Sequence, residues 1–227
     1  MILRALLWKD LRQHARLLAA GVVVVLIPYV LVTLVGLIER ATTESPNNKW
    51  TELLRIGVIG GFGASLVLVP FFSGNSLAGE RGDRTAEFLA CLPIPRGTMV
   101  TSKFIAAVVV SSLLFAANAV VGLYVFLVLD AGRDVPTIRQ AGVLFGMAFV
   151  LFTTAWCASS FARSAALAAA AGLGIPMALL IVTDAIGEAA KLGSEGITEL
   201  LYWSTMIVAV IALGVGTLNA LRQRELR

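Results

Sequence analysis

His14 is the chain's only histidine, and Cys91 and Cys157 are its only cysteines. Those are too few ligands for a His/Cys metal site, and two cysteines make no disulfide framework. Hydrolysis by a Ser–His pair would rest on His14 alone, which lies in the basic N-terminal stretch, outside the long apolar segments. Paired carboxylates within an apolar segment are absent, since Asp184 sits at a segment end. Gly57, Gly60, Gly61 and Gly63 are spaced like a nucleotide loop. None of Lys9, Lys49, Lys103 and Lys191 follows a glycine, so the G-K-[ST] core of a P-loop is missing. Small residues that let helices approach closely explain those glycines better. No catalytic constellation survives, and the chain reads as a non-enzyme with no cofactor of its own.

One stretch remains chemically dense: Leu77 to Arg96, LAGERGDRTAEFLACLPIPR, the longest charged run in the chain. At about 100° per residue, Glu80, Asp83, Arg84 and Glu87 share one side of a helix, and Leu77, Phe88, Leu89 and Leu92 the other. Pro93 and Pro95 then end the helix, because proline lacks the N–H and clashes with the preceding turn. Leu77–Leu92 is therefore predicted as a short amphipathic helix at a membrane surface or against a protein. Pattern alone does not separate a docked helix from a solvated one.

The surrounding chain is 58% hydrophobic and 14% charged, against about 45–50% and ~25% in soluble domains. With long apolar runs, this predicts one integral membrane domain over residues 1–227. The six expected spans are residues 17–38, 56–72, 104–129, 141–161, 165–186 and 200–221. Leu17–Ile38 would reach roughly 33 Å, enough for a ~30 Å hydrocarbon core. It exceeds a ~7–15-residue signal core and is read as a retained first span. Pro28 and Pro176 are expected to kink their spans. Asn118, mid-span, is expected to join helices by hydrogen bonding, Gly142 and Gly146 form a G-x-x-x-G, and Arg163 marks a tight turn. Gly187–Glu199 is expected to form one or two short surface helices. In residues 1–16, Lys9, Arg12 and Arg16 share a face opposite Leu3, Leu7 and Leu11, with Asp10 and His14 at its edges. Such a basic amphipathic helix suits an anionic membrane surface, and the same charges equally fit simple positive-inside flanking of the first span.

Charge distribution sets the expected sidedness. With the N-terminus inside, inside segments hold four Lys/Arg before span one, four in the loop after span two, one at Arg163 and three in the tail. Outside loops hold three, two and one. The bias puts both termini in the cytoplasm, with Leu77–Arg96 on the same side. The net charge of +4 follows this sidedness and is no sign of nucleic-acid binding. An ionised group at mid-bilayer costs about 2.5–3.5 kcal/mol, and the spans largely avoid one. They thus lack an ion-coupling site, so any work this protein does must draw energy from elsewhere.

The run E-R-x-x-x-T-x-E-x-L-x-x-L-P-x-x-R resembles the first cytoplasmic loop of type-2 ABC transporter permeases. Leu6–Arg12, LLWKDLR, is similar to the elbow helix that opens that family. Arg84 departs from the family's usual glycine and Ala86 from its common leucine. The resemblance implies an all-α exporter subunit with elbow helix 1–16, six transmembrane helices and coupling helix 77–92 between spans two and three. It further implies that Glu80, Arg81, Arg84, Thr85, Glu87, Phe88, Leu89, Leu92, Pro93 and Arg96 dock on a separate ABC ATPase, which holds ATP and Mg. The other expected partners are a second permease copy or a paralogue, and membrane lipid, in the cell inner (cytoplasmic) membrane. The alternative class is a membrane assembly factor or membrane enzyme without transport. The enzyme version needs an intramembrane polar cluster, which the spans do not offer.

The sidedness is testable. With Cys91 and Cys157 replaced, single cysteines at Asn47, Thr137 and Ser194 should react with an impermeant thiol reagent in intact cells. Those at Gly97 and Ser164 should not.

Overall fold

The computed structural model describes residues 2–42, 49–82, 94–125, 138–191 and 193–222. Six helices fill these segments: α1 (Ile2–Thr42), α2 (Lys49–Gly82), α3 (Arg96–Tyr124), α4 (Ile138–Phe161), α5 (Ala165–Ala189) and α6 (Ser194–Arg222). All six are long and apolar enough to cross a membrane, and no strand occurs among the described residues.

The helices overrun the predicted spans. Residues 2–16 and 17–38 form one continuous helix of 41 residues rather than an elbow followed by a span. The cause is local: no glycine or proline interrupts Ile2–Ala20, and its Leu, Ala, Lys and Arg content favours helix. At 1.5 Å per residue α1 is roughly 60 Å long, about twice a hydrocarbon core, so part of it stands clear of the apolar layer. In the same way α2 continues through Leu77–Gly82. The start of the predicted coupling helix is thus the end of a span-bearing helix, and residues 83–93 lie outside the described ones. Pro28, Pro70 and Pro176 all sit inside continuous helices.

The expected surface helices in 187–199 are instead extensions of α5 and α6. Ala190 N–H donates to Ile186 O at 2.9 Å and Lys191 N–H to Glu188 O at 3.1 Å. Lys191 then takes a left-handed φ of 53° that reverses the chain. At the opposite turn Ser164 caps α5, its hydroxyl accepting from Leu167 N–H at 3.3 Å. This is the tight turn expected at Arg163.

α2 is the hub: α1, α3, α4 and α5 all pack on it, and α6 packs on α4 and α5. Val25, Phe72, Val110 and Leu114 form one buried cluster between α1, α2 and α3. Val69, Ala107, Phe115, Leu151 and Phe152 form a second between α2, α3 and α4. Phe104 stands edge-on to Trp156, with ring centroids 5.2 Å apart, which brings α3 onto α4.

The glycines of α2 serve contact. A Cβ on Gly60 would lie 2.9 Å from Pro28, and one on Gly61 2.5 Å from the Asn118 oxygen, whereas Gly63 faces open space. Beside Gly61, the Tyr29 hydroxyl donates to Asn118 Oδ1, and Asn118 Nδ2 donates to Val58 O at 3.5 Å. Asn118 thus joins α1, α2 and α3, the role expected of it. In the G-x-x-x-G of α4, Gly142 meets nothing within 4 Å, and a Cβ on Gly146 would meet only the end of Met206.

Gly172 makes the tighter approach, since its Cβ would sit 2.9 Å from Ala155 Cα. Overpacking of this kind costs about 1–3 kcal/mol. Gly172→Ala should lower the thermal midpoint of the purified chain in detergent, while Gly142→Ala should leave it unchanged or slightly raised.

Candidate functional site at the end of the second helix

Glu80 lies in the last turns of α2, only 5% exposed. A carboxylate so removed from water needs counter-charge, because desolvation alone costs several kcal/mol. Two other helices supply it. Lys103 Nζ of α3 lies 2.5 Å from Glu80 Oε1, and Lys9 Nζ of α1 donates to the same oxygen at 2.9 Å. Asp10, buried beside them, accepts from Ser102 Oγ at 2.6 Å and lies 3.9 Å from both lysine ammoniums. Among the described residues the cluster brings two cations to two anions. His14, one turn along α1, donates from Nδ1 to Asp10 O at 2.8 Å, since a carbonyl can only accept.

Arg81, the next residue, turns to the other side of the bundle. Consecutive helical side chains diverge by about 100°, so residues 80 and 81 reach different neighbours. Arg81 donates to Ala162 O and Ser160 O, each at 3.0 Å. These carbonyls lie at the C-terminal end of α4, where a cation also complements the helix dipole. From α6, Asn219 Nδ2 donates to Ser160 O at 3.1 Å and to its hydroxyl at 3.0 Å. Deeper along α2, Ser73 Oγ donates to Phe152 O at 2.9 Å. The Glu80–Arg81 pair therefore fastens the end of α2 to α1 and α3 on one side and to α4 and its α6 neighbour on the other.

Of the ten residues expected to dock a partner, Glu80 and Arg81 are thus engaged within their own chain. Arg96 is half-buried at the first position of α3. Pro95 precedes it, its carbonyl accepting from Thr98 N–H at 3.0 Å. Pro95 therefore starts α3. Arg84, Thr85, Glu87, Phe88, Leu89, Leu92 and Pro93 lie outside the described residues. Asp10, Ser102 and Lys103 are not among the expected site residues. The available signal was Asp10 and His14, polar residues spaced i, i+4 that intrude on an otherwise apolar face. Among the described residues no group of three or more His, Cys, Asp or Glu could hold a metal ion.

Six membrane-length helices, three of them joined at one end by a buried charge cluster, define a polytopic all-α membrane protein. Residues 4–203 match the profile of the ABC-2 family transporter protein, and the chain belongs to that family. It is a membrane permease subunit. No curated protein sequence and no solved structure matches it.

Breaking one side of a buried ion pair costs about 3–5 kcal/mol, and replacing both sides with apolar groups costs far less. Glu80→Leu and Lys103→Leu should each lower unfolding stability in detergent. The double variant should be more stable than the sum of the two losses. Strict additivity would show that Glu80 and Lys103 do not act as a pair.

Proposed function

We propose that the chain forms half of the conduit of an ATP-driven exporter and is driven through the segment that follows Gly82. A separate ABC ATPase holds ATP and Mg, and a second copy or a paralogue completes the conduit. ATP binding would close the ATPase dimer and push the 83–93 segments, shifting the spans between states of different access. In this reading the protein sits in the cytoplasmic membrane with both termini inside.

The observation that carries the reading is the double anchorage of Glu80 and Arg81. A push on the segment leaving α2 meets no loose loop at its base. It meets a residue pair tied to α1, α3 and α4, with α6 held through Ser160. Family membership and the missing P-loop support the division of labour between permease and ATPase. Arg84, Thr85, Glu87, Phe88, Leu89, Leu92, Pro93 and Arg96 remain the proposed docking residues, with Glu80 and Arg81 as their stem.

Phe88 is the proposed anchor, since aromatic side chains in pockets carry much of the energy at such contacts. Phe88→Ala should cost about 2 kcal/mol or more in ATPase binding. Glu87→Lys should weaken assembly by repulsion, provided the facing ATPase surface is basic. Complex recovery in detergent and stimulated ATP hydrolysis in liposomes measure both effects. Wild-type values for the single and double variants would remove the docking role. The isolated chain should show no saturable ATP binding.

A further inference from the structure

The face of α1 turned away from the bundle carries two features in line with each other. Near the N-terminus is a groove of about 460 Å³ lined by Trp8, Lys9, Arg12, Gln13 and Arg16. Trp8 is 71% exposed. Among the described residues Arg12 and Arg16 have neither a carboxylate within ion-pair distance nor a hydrogen-bond partner. Farther along the same continuous helix, Ala19, Val23, Ile27 and Val30 are exposed. At 100° per residue these four fall within about 60° of Arg12 and Arg16. From Ala19 to Val30 the helix rises roughly 17 Å, about half of a ~30 Å hydrocarbon core.

A cationic groove with an aromatic rim, set in line with an apolar stripe one leaflet long, has the shape and polarity of an anionic amphiphile. We propose that this face of α1 binds one anionic phospholipid. Its phosphate would lie between Arg12 and Arg16, with Trp8 in the headgroup layer and the acyl chains along Ala19–Val30. Arginine suits the phosphate because its fork of donors matches phosphate oxygens, and Trp favours the membrane interface. Lys9 links this site to the buried cluster, being 40% exposed at its side chain while donating to Glu80. A headgroup that draws on Lys9 leaves Glu80 paired with Lys103, so lipid can bind without stranding a buried carboxylate. The inference rests only on the chain's spanning a membrane. It is tested without any ATPase, so its failure is separable from failure of the exporter reading.

The test uses the full chain in an uncharged detergent, titrated with phosphatidylglycerol, with phosphatidylcholine and with inorganic phosphate. Native mass spectrometry counts the lipid bound. Phosphatidylglycerol should bind at one per chain and at least tenfold tighter than phosphatidylcholine, with millimolar phosphate failing to displace it. Each basic side chain at an anionic surface contributes roughly a fivefold factor. Arg12→Gln with Arg16→Gln should therefore weaken phosphatidylglycerol on the order of thirtyfold and leave phosphatidylcholine unchanged. Arg12→Lys with Arg16→Lys should keep most of the preference. Equal affinity of the wild-type chain for the two lipids would overturn the proposal, whether or not the glutamine variant folds. So would displacement by free phosphate, or a wild-type preference in the glutamine variant. A face covered by a second copy would take up no lipid in the dimer, which would also overturn it.

Discussion

A carboxylate taken out of water must bring its counter-charges with it, and Glu80 draws them from two other helices. That constraint fixes much of the fold at this end. Lys103 and Lys9 can both reach one oxygen of Glu80 only if α1, α2 and α3 converge there. Asp10 then balances the second cation, and Ser102 satisfies Asp10. A hydrophobic contact tolerates a shift of an ångström with small loss, because dispersion is spread over many atoms. A buried charge cluster does not, because an unpaired member faces the full cost of desolvation. The convergence is therefore stiff, and the segment after Gly82 leaves from a stiff base.

Farther along the bundle the helices are held differently. Gly60 and Gly61 bring α2 close to α1, and Gly172 brings α5 onto α4, leaving backbone-distance contacts with little to grip. Tyr29, Asn118 and Val58 O form the polar contact among the first three helices there. Hydrogen bonds between membrane helices contribute little each, about 0.6 kcal/mol on average. The charged end is thus the firm joint and the small-residue middle the compliant one. In the proposed exporter that distribution would let spans slide past each other while their driven ends stay together.

The legible part of the sequence was what depends on the solvent. Long apolar runs announce spans because the bilayer tolerates few charges, and six of the structure's helices contain them. Asn118 was readable as a helix–helix hydrogen bond because an amide in hydrocarbon has few alternatives. The limits of the helices were less legible. Hydropathy marks where the apolar layer ends, whereas a helix ends where its backbone geometry fails. Ile2–Arg16 and Leu77–Gly82 stay helical beyond the apolar layer for that reason. The burial of Glu80 is not legible in a helical wheel, which places it beside Asp83 and Arg84 without showing what packs on that side. The ion partners Lys9 and Lys103 lie 71 and 23 positions away in the chain, and no local pattern connects residues so far apart.

The placement of α2 then explains why two adjacent residues suffice as a clasp. No Cα of α1 comes within 8 Å of α4, α5 or α6 among the described residues, so α1 and the α4–α6 group meet through α2 and α3. α3 itself touches the far group by apolar contacts, among them Phe104 on Phe152 and Trp156, Phe115 on Phe145 and an approach to α6, which can slip without breaking a bond. At its end α2 holds α1 by Glu80 and α4 by Arg81, each through hydrogen bonds that are directional. Rotating the end of α2 by a few tens of degrees would strain both sets at once. Translating it along its axis would carry both groups together. In the proposed exporter an axial push on the segment after Gly82 is therefore transmitted to both halves of the bundle, and a twist is resisted.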